Sequence, residues 1–117
     1  MEDRAQKLLS DVLASGQSIG QWCEGRTFSE YEADRQLRKA VEREFEIIGE
    51  ALNRLAQADP ATGARIEDRE RIVSFRNRII HGYDAVDDAT VWGVAHDHLP
   101  RLLSTVELLL REAGEAP

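Results

Sequence analysis

The stretch Leu37–Leu55, LRKAVEREFEIIGEALNRL, decides the fold. Leu37, Val41, Phe45, Ile48, Leu52 and Leu55 fall in alternating steps of three and four, which lines one face of an α-helix. The other face carries Arg38, Glu42, Glu46 and Asn53. The pattern predicts a helix that begins between Ser29 and Asp34 and lasts to about Ala58, where Asp59-Pro60 stops it. Upstream, Leu8, Leu9, Val12, Leu13, Ile19 and Trp22 predict a helix over about Asp3–Cys23, weakened at Gly16 and Gly20. Glu24-Gly25-Arg26-Thr27 breaks it. Downstream, Asp68 is a candidate N-cap for a third helix from Arg69 to Ile80 or His81, with Gly82 just beyond its end. Asp87 caps a fourth, carrying Trp92, Ala95, Leu99, Leu102, Val106 and Leu109, which Pro100 kinks or restarts. The expectation is an all-α, antiparallel four-helix bundle, one domain over residues 1–117. So small a bundle gains by burying a further face, so a homodimer is expected.

Composition narrows the function. Fifteen Lys+Arg against 22 Asp+Glu give a formal net charge of −7. A chain this acidic cannot hold nucleic acid by a general basic field, so any such function needs a local basic site or a larger assembly. The basic residues are nearly all arginine, and Arg65–Arg78 is the one locally positive stretch. No apolar run is long enough for a bilayer, and the charged start MEDRAQKLLSDVL does not resemble a signal peptide, so the cytoplasm is expected. Cys23 is the single cysteine, which excludes an intrachain disulfide and a cysteine metal cluster. His96-Asp97-His98 resembles a metal tract, but histidines two apart on a helix diverge by about 200°. No Gly-rich phosphate loop, HExxH or nucleophile elbow is present, and neither metal nor cofactor is expected.

The third helix reads RERIVSFRNRIIHGYD and breaks the amphipathic rule. At about 100° per residue, Arg76 falls inside the arc of Ile72, Phe75, Val73, Ile79 and Ile80. Asn77 and His81 fall on one edge of that arc, and Arg78 on the opposite, solvent-side edge. A guanidinium keeps its proton, and burying it unpaired costs several kcal/mol. Three arrangements satisfy it. It can pair with an internal carboxylate, Glu46 or Glu50; it can line a cleft with Asn77 and His81 where an anion binds; or it can snorkel to solvent.

Arg76-Asn77-Arg78-Ile79-Ile80-His81 resembles the signature of the HEPN superfamily, an Arg and a His four to six residues apart with a polar residue after the Arg. The longer RNRIIHGY, with Tyr83 two residues after His81, resembles the Arg-x4-His-x-Tyr motif of HepT-like toxins. Ala40–Leu55, with its Ile-Gly-Glu-Ala block, and His81–Trp92 resemble the same family, so the likeness spans roughly residues 28–112. Where such proteins often have Pro-Trp before the third helix, this chain has Ile66-Glu67-Asp68. The resemblance implies a HEPN-type four-helix domain acting as a metal-independent endoribonuclease, a homodimer with its two motifs facing across a cleft. It also implies a partner, a nucleotidyltransferase antitoxin of the MntA type that adenylylates the motif tyrosine, here Tyr83.

The residue types suit that chemistry. Metal-free RNA cleavage uses the substrate's own 2′-hydroxyl as nucleophile. Histidine titrates near neutrality, so His81 is the candidate general acid and base. Arginine matches two phosphate oxygens and stays charged, so Arg76 is the candidate stabiliser of the phosphorane. Asn77 would position phosphate or His81, and Glu50 and Arg78 are supporting candidates. Tyr83 could stack on a base or take the adenylyl group; alternatively it closes the bundle end. The competing reading is a catalytically silent helical module that serves a separate nucleotidyltransferase.

Overall fold

The computed structural model describes residues 1–81 and 87–115. Every described element is helical: α1 Asp3–Cys23, α2 Phe28–Ala33, α3 Arg35–Ala58, α4 Pro60–Ala64, α5 Arg69–His81, α6 Asp88–Asp97 and α7 Leu99–Glu115. None of these helices is long and apolar enough to cross a membrane.

The four expected segments are all present, but three of their boundaries differ. The second is preceded by the separate turn-and-a-half α2, which a Thr27–Glu30 capping box starts. Asp34 ends α2 and caps α3 through the Leu37 N–H. The expected loop after Pro60 is the short helix α4, because Asp59 accepts from the Thr62 N–H and hydroxyl while Pro60 occupies the first turn. The fourth segment restarts. Pro100 has no N–H to give, so α6 closes on the His98 N–H bonding the Val94 carbonyl and α7 begins at Leu99. Asp68, expected as an N-cap, instead directs its carboxylate to Arg101 of α7, with the Arg101 Nε at 3.1 Å. Its backbone carbonyl still accepts the first α5 bond, from Ile72. Gly82 lies outside the described residues.

α3 is the central element. Val41, Phe45, Ile48, Leu52 and Leu55, all from the predicted stripe, are fully buried. Each such side chain stabilises the fold by about 1.5–3 kcal/mol. α1 meets this stripe through Leu9, Val12 and Ile19, and α7 packs on α1 and α6, adding Val106 and Leu109 to the same core. Trp22, placed on the apolar face by spacing, is 38% exposed because α1 ends one residue later. α5 packs against α3 and runs antiparallel to it. Phe45 meets Phe75 edge-on at 5.2 Å between ring centres, while the next turns of α3, toward Ala56, lie beside Arg69 and Val73. An Arg65–Glu112 fork, at 2.6 and 2.8 Å, ties the end of α4 to α7. With the Asp68–Arg101 pair it ties the entry to α5 to two places along α7.

Among the described residues, one core hydroxyl is unsatisfied. Tyr31 is fully buried against the Trp92 ring, and among the described residues its hydroxyl has no hydrogen-bond partner. Burial, with Glu42 and Asp88 nearby, pushes its pKa far above the usual phenol value. A buried hydroxyl without a partner costs about 1–3 kcal/mol. Tyr31→Phe keeps the ring and removes the cost. It is expected to raise the melting temperature by about 3–6 °C in calorimetry; a fall would show that the hydroxyl bonds something.

Candidate active site

The Arg76 anomaly resolves through α3. The Arg76 stem leaves α5 and crosses directly over Gly49, where an added Cβ would stand 2.5 Å from Arg76 Cγ. Glycine is the one residue at that position that lets the two helices come this close. The guanidinium then reaches Glu50, the next residue of α3, with Nη2 2.5 Å from Oε2. Its other terminal nitrogen, Nη1, donates to Asn77 Oδ1 at 2.7 Å. Of the two carboxylates considered, Glu50 is the partner; Glu46 pairs with Arg43 instead.

Glu50 is shared. Its second oxygen, Oε1, accepts from Arg54 Nε at 2.8 Å, one turn further along α3. The Arg54 bond, aided by the charge of Arg76, holds the Glu50 carboxyl below the usual range. A depressed carboxylate stabilises the fold above its ordinary pKa and loses that contribution as pH falls through its folded value. The Arg76–Glu50–Arg54 triad is therefore fully formed at neutral pH and carries one net positive charge.

Pairing has not sealed the arginine. Arg76 is 22% exposed and lines an open cleft of about 240 Å³ between α1, α3 and α5, together with Glu50, Arg54, Arg43, Leu8 and Ile80. Its Nε is the exception, buried with no partner among the described residues. That buried donor is a cost the fold bears while the two terminal nitrogens are held by Glu50 and Asn77.

The other expected residues separate. His81 is exposed at the last position of α5, five residues and about 140° of helix rotation from Arg76. Asn77 bonds Arg76 but borders a second hollow, with Asn53, Arg69 and Ser74 on the other side of the α3–α5 contact. Arg78 borders a third, with Phe75, Thr90 and Val94, away from the Arg76 cleft. Tyr83 lies outside the described residues. One chain thus unites Arg76, Asn77 and Glu50, and holds His81 at the neighbouring helix end without drawing it into the same cleft. Among the described residues no group of three or more His, Cys, Asp or Glu is placed to hold a metal ion.

Gly49 and Arg54 were not singled out from the sequence. The signals were there: a glycine in the middle of the strongest helix, where it costs about 1 kcal/mol, and a Glu–Arg pair four apart.

Comparison with known proteins adds a family to this geometry. The family described as "Ribonuclease HepT-like" matches residues 12–109. The chain belongs to that family. The match begins within α1, upstream of the motif resemblance, and it encloses the Arg76 cleft except Leu8 and Asp11. A Methanocaldococcus jannaschii protein named "Putative RNase" is 27% identical over 101 residues, 86% of this chain and 92% of that protein. A Thermococcus cleftensis protein named "Probable ribonuclease HepT" is 28% identical over 101 residues, 86% of this chain and 91% of that one. No solved structure matches the chain. The Arg76–His81 segment thus lies on α5, with its arginine lining a cleft and its histidine open to solvent.

Proposed function

We propose that this HepT-like chain is an endoribonuclease toxin that cleaves RNA without a metal ion. The observation that supports it is Arg76. It is paired firmly enough to be held in place, yet it remains 22% exposed and lines an open cleft in a chain of a ribonuclease family. In the reaction one His81 imidazole takes the proton of the substrate 2′-hydroxyl. The 2′-oxygen attacks phosphorus, and the bond from phosphorus to the 5′-oxygen breaks. A second imidazole, in its protonated form, gives the leaving oxygen its proton. The products are a 2′,3′-cyclic phosphate and a 5′-hydroxyl. Arg76 meets the charge that develops on the phosphorane oxygens, and Asn77 holds the guanidinium plane.

Each chain supplies one motif histidine, so the base and the acid come from two copies in a homodimer whose motifs face one another. The separation of His81 from the Arg76 cleft within one chain supports this arrangement. An MntA-type nucleotidyltransferase is the proposed antitoxin, adenylylating Tyr83. Phosphate added there would repel RNA beside His81, and the acidic surface suits a basic partner. The silent-module alternative needs the motif sealed by packing, and the exposure of His81 and the open Arg76 cleft speak against it.

The test is direct. Purified protein incubated with single-stranded RNA in excess EDTA is expected to release fragments ending in 2′,3′-cyclic phosphate, and 2′-deoxy substitution at the cleaved nucleotide to block release. Cleavage that stops with EDTA would overturn the metal-free mechanism. No cleavage in either condition would overturn the ribonuclease reading.

A further inference from the structure

We propose that Arg54 is a second phosphate-binding residue, gripping the phosphodiester next to the one held by Arg76; this rests on the ribonuclease reading and extends it. Arg54 bonds Glu50 through Nε, its side chain is 56% exposed, and it lines the same cleft as Arg76. One carboxylate holds both guanidiniums, so they stand within roughly 8 Å of one another, two hydrogen bonds and the width of Glu50. That is the order of separation between neighbouring phosphates of one strand.

Around the whole cleft Arg43, Arg54 and Arg76 face Asp11, Glu46 and Glu50, so its formal charge balances, and on a chain of net charge −7 the arginines act through placed contacts rather than a general field. Within the triad, two guanidiniums around one carboxylate leave one positive charge for a phosphate to meet. Glu50 positions both arginines and stops them repelling each other when the cleft is empty. Ile80, 43% exposed at the rim of the same cleft, provides an apolar surface beside the strand. Arg43 also borders the cleft but is spoken for by Glu46 and is 68% exposed, so it is held less firmly.

The experiment measures RNA binding by fluorescence anisotropy across a salt series, in a His81→Ala background that keeps the cleft. Arg54→Gln is expected to weaken binding roughly tenfold. It should also flatten the salt dependence by about 0.7 in the logarithmic slope, the value of one lost phosphate contact on a single strand. Arg54→Lys keeps the charge and should keep the slope. Arg65→Gln removes the same charge from the α4–α7 fork, far from the cleft, and should leave the slope alone. Glu50→Gln/Arg54→Gln restores the charge balance without restoring the contact, and should retain the flattened slope.

An Arg54→Gln slope equal to the parent's would overturn the assignment. So would recovery in the double variant, which would mean that Arg54 only balances Glu50, or an equal loss in Arg65→Gln, which would mean general charge. Each of these outcomes leaves the ribonuclease reading standing. A parent protein that binds no RNA would take both down.

Discussion

His81→Ala is expected to lower RNA cleavage by about 10²–10⁴-fold, the range that a positioned acid or base contributes, while leaving the fold untouched. His81 is exposed at the end of α5, and exposed substitutions of this kind change stability by about 0.5 kcal/mol or less. The pairing of a large kinetic loss with an unmoved melting temperature separates a catalytic group from a structural one. Arg76→Ala should behave differently. It removes transition-state stabilisation worth about 10²–10³-fold, and it also withdraws a buried stem from beside Gly49 and one of two partners from Glu50. Its melting temperature should therefore fall along with its activity. In a homodimer with one histidine from each chain, mixing His81→Ala chains with wild-type chains should also depress activity beyond simple dilution. Purified His81→Ala that cleaves at the wild-type rate would remove the histidine from the mechanism.

Gly49→Ala is the second large effect, and its sign runs against propensity. In the interior of an exposed helix, alanine for glycine stabilises by about 1 kcal/mol. Here the new methyl would press on Arg76 where its side chain leaves the backbone, 2.5 Å from Cγ, and neither atom is a flexible end. α5 must move off α3 or Arg76 must leave its rotamer. Overpacking of this kind costs about 1–3 kcal/mol, so the melting temperature should fall by several degrees. Cleavage should fall by roughly 10²-fold, since a displacement near 1 Å is enough to cost that much. Gly16→Ala is the matching control. The nearest atoms to the methyl there are the branched end of Leu103, which can rotate away, and not the root of a side chain. A Gly49→Ala protein that melts at or above the wild type and cleaves normally would show that the close crossing of α3 by Arg76 is not required.

These two positions mark how far the sequence could be read. The apolar stripe of α3, the extent of α1 and the span of α5 followed from periodicity and capping, because those rules act over a few residues along the chain. The oddness of Arg76 was legible for the same reason, as a permanent cation inside an oily arc. The number of helical segments was not. α2 and α4 are too short to show a period, and by itself Pro100 fits a kink as well as a restart.

The sequence favoured Glu50 over Glu46, which falls with the solvated face of α3, but only the fold fixes the pairing with Arg76. The register in which α5 docks, with Phe75 on Phe45 and Arg76 over Gly49, brings Glu50 within reach and leaves Glu46 to Arg43. The role of Arg54 arose in the same step, since it touches the site only through a carboxylate that Arg76 also holds. Periodicity along one helix tells which side chains share a face. Which of them meet across two helices depends on the offset between the helices, and close packing of the whole core sets that offset.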